Sequence, residues 1–212
     1  MKRSGFALSI VIHKYTMKKD RAGQATRDSR SRMRQVASFP PQIGVDCRVL
    51  VLGTVPSLRS LELRQSYGHA QNLFWPFMGE LFDAGVELPY AERMRRLHAL
   101  GIGIWDVYKQ VERPGSLDAS IVRASEVPNA IAHLLKRMPT IRAIALNGGK
   151  ASEGFVRHVA PQFDAALRER VEILKLPSTS PANASIARAE KLRRWQVLTQ
   201  YVTASPHAAP KS

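Results

Sequence analysis

Short apolar runs alternate with longer amphipathic segments along most of the chain. The runs are rich in β-branched residues and leucine, as buried parallel strands are, and they lie at 48–53, 101–107, 141–147 and 171–176. The segments between and after them predict helices at about 76–84, 90–99, 128–137, 150–159 and 184–201. This alternation predicts an α/β fold, a three-layer αβα sandwich with a central four-stranded, mostly parallel sheet.

The pattern also divides the chain. Residues 1–38 are polar and basic with little to bury between Lys18 and Arg34, which predicts a disordered basic arm. Phe39-Pro40-Pro41 marks the start of a folded domain over 39–205, and 206–212 is expected to be a disordered tail.

The net charge of the chain indicates which kinds of ligand it can attract. The chain carries +15, and residues 1–40 hold ten basic and two acidic residues, so the folded part is basic as well. A basic surface attracts polyanions, of which nucleic acid is the usual one, although a merely soluble basic surface has the same composition. The single cysteine, Cys47, excludes a disulfide framework. The apolar run at 6–12 is too short to span a membrane, and we expect an intracellular monomer without a membrane partner.

Three unusual segments follow predicted strands or sit beside them. In open parallel sheets, ligands bind beyond the carboxyl ends of the strands. The segments that fall there are Gly53-Thr54-Val55-Pro56-Ser57, Asn147-Gly148-Gly149-Lys150 and the proline-rich loop 176–183. The sequence therefore predicts a cleft at one rim of the sheet.

The loop 53–57 exposes backbone N–H groups and small side chains, which suit a phosphate or a bound water. An ordinary strand-to-helix turn would look the same. No lysine follows at the spacing of a nucleotide-triphosphate loop, which disfavours that class.

The loop 67–75 concentrates polar and aromatic side chains. The carboxamides of Gln71 and Asn72 can donate and accept, so they can read a base edge. Phe74 is expected to offer a stacking face and Trp75 to join the core, while His69 either contacts the base or is structural.

The loop 176–184 carries two prolines, three hydroxyls and Asn183 just before a basic helix. Hydroxyls at a helix N-terminus bind phosphate well. Asn183 or Ser185 could also be the N-cap of that helix, with or without a role in binding. Asp106 could order the site, and Lys150 could reach a phosphate or only solvent.

Together these segments resemble the uracil-DNA glycosylase superfamily. Gly53–Ser57 resembles its motif 1, and 176–184 resembles motif 2, the loop that enters the minor groove. The sequence motif Gly-His-x-Gln-Asn-x-Phe-Trp at 68–75 is most similar to the hypoxanthine-DNA glycosylase branch. The resemblance implies a metal-free, cofactor-free base-excision repair enzyme that flips a deaminated base, most often hypoxanthine, out of double-stranded DNA and hydrolyses its N-glycosidic bond.

The resemblance also implies residue roles. Asn72 would be the catalytic residue, and base contacts would come from Phe74, Gln71, His69 and Asn147. Motif 1 would comprise Gly53, Thr54, Val55, Pro56 and Ser57, and DNA contacts would come from Pro177, Ser178, Thr179, Ser180, Asn183 and Lys150.

The chain departs from most of the superfamily at two points. Val55 stands where motif 1 usually has Asn or Asp, and motif 2 lacks its usual histidine. We therefore expect weak uracil excision. A uracil or mismatch-specific glycosylase is the alternative within the enzyme class, and a non-catalytic DNA-binding module is the alternative outside it. A serine hydrolase is disfavoured because no Gly-x-Ser-x-Gly elbow is present.

Overall fold

A computed structural model describes residues 33–202. Within that range the chain forms seven strands, which lie at Met33–Ala37 (β1), Val49–Gly53 (β2), Ile102–Asp106 (β3), Tyr108–Pro114 (β4), Val127–Pro128 (β5), Ala143–Asn147 (β6) and Glu172–Leu176 (β7).

The α-helices of the same range lie at Leu58–Leu63 (α1), Phe74–Phe82 (α2), Tyr90–Ala99 (α3), Ile131–Arg137 (α4), Gly149–Gly154 (α5), Ala165–Arg170 (α6) and Arg188–Trp195 (α7). Helix α5 continues into a π-helical turn at Phe155–Val159. Short 3₁₀ turns lie at Asp118–Ser120, Arg123–Ser125, Ala160–Gln162 and Gln196–Gln200.

The central sheet has the strand order β3-β2-β6-β7, and every neighbouring pair is parallel. Side chains alternate across it, so Leu50 and Leu52 join one apolar cluster while Val49 and Val51 join the other. Each such buried side chain stabilises the fold by roughly 1.5–3 kcal/mol. Helices cover both faces, which confirms the predicted αβα sandwich.

All four predicted strands are present, and α3 has its predicted bounds. Two predicted helix starts were wrong. Pro128 belongs to the short strand β5, and α4 begins only at Ile131. The last helix begins at Arg188 rather than near 184, because residues 178–183 form a loop fixed by contacts described below.

A second sheet, antiparallel and of order β1-β4-β5 in the described residues, was not predicted. Its first strand corrects the predicted arm, since 33–37 pairs with β4 and Val36 lies opposite Val111. Val36 is 1% exposed, whereas the other residues of β1 are exposed. One buried residue in a basic stretch gives too weak a pattern to recognise. Residues 1–32 of the predicted arm and the predicted tail lie outside the described residues.

Two truncations measure what β1 contributes. A chain that starts at residue 39 is expected to be less stable than one that starts at 33 by about 1.5–3 kcal/mol, the value of one buried valine. The difference is several degrees of melting temperature for a domain of this size. Thermal unfolding of both chains checks this. Equal melting temperatures would show that β1 does not contribute to the stability of the folded domain.

No helix within 33–202 is long and apolar enough to cross a membrane. Cys47 is buried, and burial raises the pKa of its thiol to about 12. It is therefore a small core residue.

Candidate active site

An open cavity of about 420 Å³ lies at the carboxyl ends of the central strands. Its size is typical of sites for small ligands. The residues that line it and enter the argument below are Gly53, Thr54, Val55, Pro56, Ser57, Tyr67, Asn72, Asp106, Asp118, Asn147, Lys150, Ser178, Thr179, Ser180 and Asn183. The cavity thus lies at the rim where the sequence predicted a cleft.

All five residues of the loop 53–57 line the cavity. Ser57 ends the loop as the N-cap of α1, and its Oγ accepts from the Ser60 N–H at 3.1 Å. Gly53 is required by close approach, because a Cβ there would lie 2.6 Å from Asp106 Oδ1 and 3.1 Å from the Tyr67 hydroxyl. The loop therefore packs its backbone directly against two polar side chains.

Asn147 fixes the loop 176–183. Its Nδ2 donates to Thr179 Oγ1, and its Oδ1 accepts from the Thr179 N–H, each at 2.9 Å. Gly148 has a φ of 99°, and a Cβ there would lie 2.7 Å from the Ser178 Cβ. The Asn147 amide thus positions the loop, and its predicted contact with a base stays a prediction.

Lys191 of α7 binds two backbone carbonyls of the same loop. Its side chain is 2% exposed, and Nζ donates to the Ser178 carbonyl at 2.9 Å and to the Asn183 carbonyl. Burial lowers the pKa of this ammonium group. The expected N-cap role of Asn183 or Ser185 is wrong, because the N-cap of α7 is Ala187 and no side chain caps it.

Replacing this buried lysine is expected to loosen the loop. Lys191→Met keeps the aliphatic stem but loses charge-assisted hydrogen bonds worth about 1.5–3 kcal/mol each in typical proteins. We expect a melting temperature lower by several degrees and weaker binding of duplex DNA. Arg194→Met on the exposed side of α7 is the control, and equal effects of the two variants would show that Lys191 has no special role.

Asn72 lines the cavity and has a fixed amide orientation. Its Oδ1 accepts from the Phe74 N–H at 2.9 Å, and its own N–H donates to the His69 carbonyl. Because the Phe74 N–H needs an oxygen, the Nδ2 of Asn72 remains available as a donor. The next residue, Leu73, donates its N–H to the Thr179 carbonyl at 2.9 Å, which ties this segment to the loop 176–183.

Phe74 does not offer a stacking face. Its ring is 0% exposed, stacks on Tyr67 with centroids 4.0 Å apart, and meets Trp75 and Trp195 edge-on. As the first residue of α2, Phe74 points into the core, and Tyr67 covers it from the cavity side. Tyr67 is therefore the aromatic wall, held at a φ of 57°, a strained value for a non-glycine residue. Trp75 is in the core as expected.

His69 and Gln71 do not line the cavity. Both are exposed, and the Gln71 N–H donates to His69 Nδ1 at 3.2 Å. The Asn72 N–H donates to the His69 carbonyl and closes a turn that leaves His69 and Gln71 outside the cavity lining. Their predicted contact with a base inside the cavity is therefore not supported. Pro177 is also outside the lining, where its carbonyl accepts from Trp195 Nε1.

Two carboxyl groups line the cavity. Asp106 ends β3, and burial raises its pKa to about 7, with a further rise from Asp118 and an opposing effect of Arg113. Asp118 accepts from Arg113 Nη1 at 2.9 Å, and burial raises its pKa as well. Asp106 was visible in the sequence as an acid at a strand end, whereas Asp118 lies in a segment without periodicity and gave no signal.

The comparisons decide the family. The profile of the Uracil DNA glycosylase superfamily matches residues 40–199. This chain belongs to that superfamily. It is 30% identical over 165 residues to the hypoxanthine DNA glycosylase of Methanosarcina acetivorans, covering 77% of this chain and 97% of that protein. It is 33% identical over 116 residues to the hypoxanthine DNA glycosylase of Methanosarcina barkeri, covering 54% of this chain and 72% of that protein.

A solved structure agrees. The chain is similar to a solution NMR structure of a Methanosarcina acetivorans protein provisionally named a uracil DNA glycosylase, with a TM-score of 0.64 and 29% identity. The likeness covers 78% of this chain and 96% of that one. The resemblance of the chain to the uracil DNA glycosylase superfamily is thereby confirmed.

Cations around this glycosylase-superfamily cavity are mostly paired. Lys150 lines the cavity and contacts Glu126 at 3.2 Å. The arginines of α7 pair with acids, Arg193 and Arg194 with Glu190 and Arg188 with Glu80. Among residues 33–202, Lys150 is the lysine or arginine that lines the cavity. Across 33–202, no three or more His, Cys, Asp or Glu side chains are placed to hold a metal ion.

Proposed function

We propose that this chain is a DNA glycosylase that hydrolyses the N-glycosidic bond of a deaminated base in duplex DNA, with hypoxanthine as the preferred base. The observation that carries the proposal is the carboxamide of Asn72 in the wall of the same cavity as a motif 1 loop whose central residue is Val55. Two relatives that bear the name hypoxanthine DNA glycosylase support the choice of base.

The cavity has the features that a flipped base needs. An enzyme that acts on a base must first take it out of the stack, which costs a few kcal/mol and less in a weak mispair. Tyr67 supplies an aromatic wall for the extruded base. The hydroxyls of Ser178 and Ser180 lie at the same cavity, and such groups bind the phosphates beside a flipped nucleotide, whereas the buried Thr179 hydroxyl accepts from Asn147.

Asn72 is the proposed catalytic residue. Cleavage of the bond passes through an oxocarbenium-like state in which negative charge builds on the departing base. A donor fixed before the reaction stabilises that charge without reorganisation. The Phe74 N–H holds the Oδ1 of Asn72, so the Nδ2 group is the one that donates to the base.

An incision assay tests the proposal. Single-turnover base release would be measured on matched duplexes that carry inosine, uracil, xanthine or ethenoadenine. We expect hypoxanthine to be released fastest. Faster release of uracil would make this a uracil or mismatch-specific enzyme, and tight duplex binding without release of any base would make it a binding module.

A further inference from the structure

Asp106 stands beside the motif 1 loop although it comes from another strand. In the parallel pairing of β2 and β3, Asp106 is the register partner of Gly53. Its Oδ1 lies 2.6 Å from the position that a Cβ on Gly53 would take. The carboxyl group therefore occupies the space next to the loop in which Val55 replaces a polar residue.

The carboxyl of Asp106 has no hydrogen-bond donor within the described part of the protein. The Nδ2 of Asn129 donates at 2.9 Å to the Asp106 backbone carbonyl, not to its side chain. An acid turned toward a cavity without a partner is costly for stability. Such groups are common at functional sites, where a water or substrate becomes the partner.

The groups around Asp106 place the pKa of its carboxyl group near neutral pH. Arg113, the cation that opposes the rise in the pKa of Asp106, is fully buried and already donates to Asp118 and, at 2.6 Å, to the Pro56 carbonyl. The remaining titratable groups that face the cavity are Tyr67, whose pKa is raised by burial and by Asp106, and Lys150, which pairs with Glu126. Burial and Asp118 together hold the pKa of Asp106 at about 7, so both of its forms exist at physiological pH.

We propose that Asp106 is the general base that replaces the missing motif 1 side chain. The inference rests on the proposed glycosylase function. One Oδ of Asp106 removes a proton from water, and the water oxygen bonds to C1′ of the flipped nucleotide. The C1′–N9 bond breaks, and its electron pair leaves with the base, which Asn72 stabilises until it takes a proton from solvent. Asp106 then returns its proton to solvent, which balances the proton that the base takes up, so the products are the free base and an abasic site.

The proposal fixes the sign of the pH dependence. A general base acts in its ionised form, so the rate rises with pH through about 7 and then levels off. Asp118→Asn removes a neighbouring negative charge, which makes ionisation of Asp106 easier. The rising limb then moves toward lower pH. A residue that only supports the fold would not move this limb.

The test is a single-turnover profile from about pH 5.5 to 9 on inosine duplex, with general-base loss expected to cost about 10²–10⁴-fold. Asp106→Asn is expected to show that loss at pH 8 and a flat profile. Asp118→Asn is expected to shift the limb to lower pH. Asp83→Asn is the matched control, because Asp83 is exposed at the end of α2 with a φ of 53° that asparagine also accepts. Melting temperatures show whether each variant is folded.

The outcomes separate the two proposals. Release by folded Asp106→Asn within about threefold of wild type overturns the role of Asp106 and leaves the proposed function standing. A wild-type rate that falls as pH rises through 7 overturns it too, because Asp106 would then act as an acid. If the wild type releases no base at any pH, the proposed function fails and this inference fails with it. If uracil is the better base, the same variants on uracil duplex decide the role of Asp106.

Discussion

Asn72→Ala is expected to lower the single-turnover rate of hypoxanthine release by about 10²–10³-fold, the usual effect of removing one preorganised donor. The structure gives the reason, because Asn72 lines the cavity and its Nδ2 is free to donate once Oδ1 has accepted from Phe74. The alanine variant also loses that local hydrogen bond, which costs about 0.5–1.5 kcal/mol of stability. Its effect on rate must therefore be separated from its effect on fold.

Asn72→Asp makes that separation. The carboxylate keeps an acceptor for the Phe74 N–H but has no N–H to donate to the base, so we expect wild-type folding and the same loss of rate. Gln71→Ala removes the neighbouring carboxamide, which is exposed and outside the cavity, and is expected to stay within about threefold of wild type. Near-normal release by folded Asn72→Asp would refute the assignment of Asn72.

The central sheet was predictable because its strands are buried on both faces. Residues 49–53 and 143–146 read as continuous apolar runs, which few other structures produce. The second sheet was not predictable by this means. In β4 buried residues alternate with exposed Lys109 and Glu112, and β1 has one buried side chain, Val36. Their pairing brings together segments about 75 residues apart, which local periodicity does not report.

Some residues of the candidate site could be predicted from the sequence and others could not. Gly53–Ser57, Asn72 and Ser178–Ser180 could be found because they lie in compact, unusual segments that follow strands. The stacking wall was misassigned by seven residues, from Tyr67 to Phe74, since both are aromatic and only the turn between them decides which one faces the cavity. The buried ammonium of Lys191 could not be recognised either, because in the sequence it is one of several cations of a basic helix.

Wild-type enzyme is expected to release hypoxanthine at least about 10²-fold faster than uracil, because Val55 supplies no polar group at the motif 1 wall. Val55 is 8% exposed and lies between the cavity and one apolar cluster of the core. Its side chain cannot hydrogen-bond to the edge of a pyrimidine, and that contact, not the water assigned to Asp106, is what uracil release lacks. The comparison needs identical duplexes that differ only in the damaged base.

Val55→Asn is expected to raise uracil release by about tenfold or more, because a single well-placed donor is worth that much or more in a water-poor site. The new carboxamide is partly buried and costs about 1–3 kcal/mol unless it finds partners, so the melting temperature is measured alongside. Val55→Thr is the matched control, since threonine has nearly the same shape but carries a hydroxyl in place of the carboxamide. If threonine raises uracil release as much as asparagine does, polarity alone sets the choice of base; if neither does, the preference arises elsewhere in the cavity. A wild-type enzyme that releases uracil faster than hypoxanthine would contradict this explanation, because Val55 would then not limit the release of uracil.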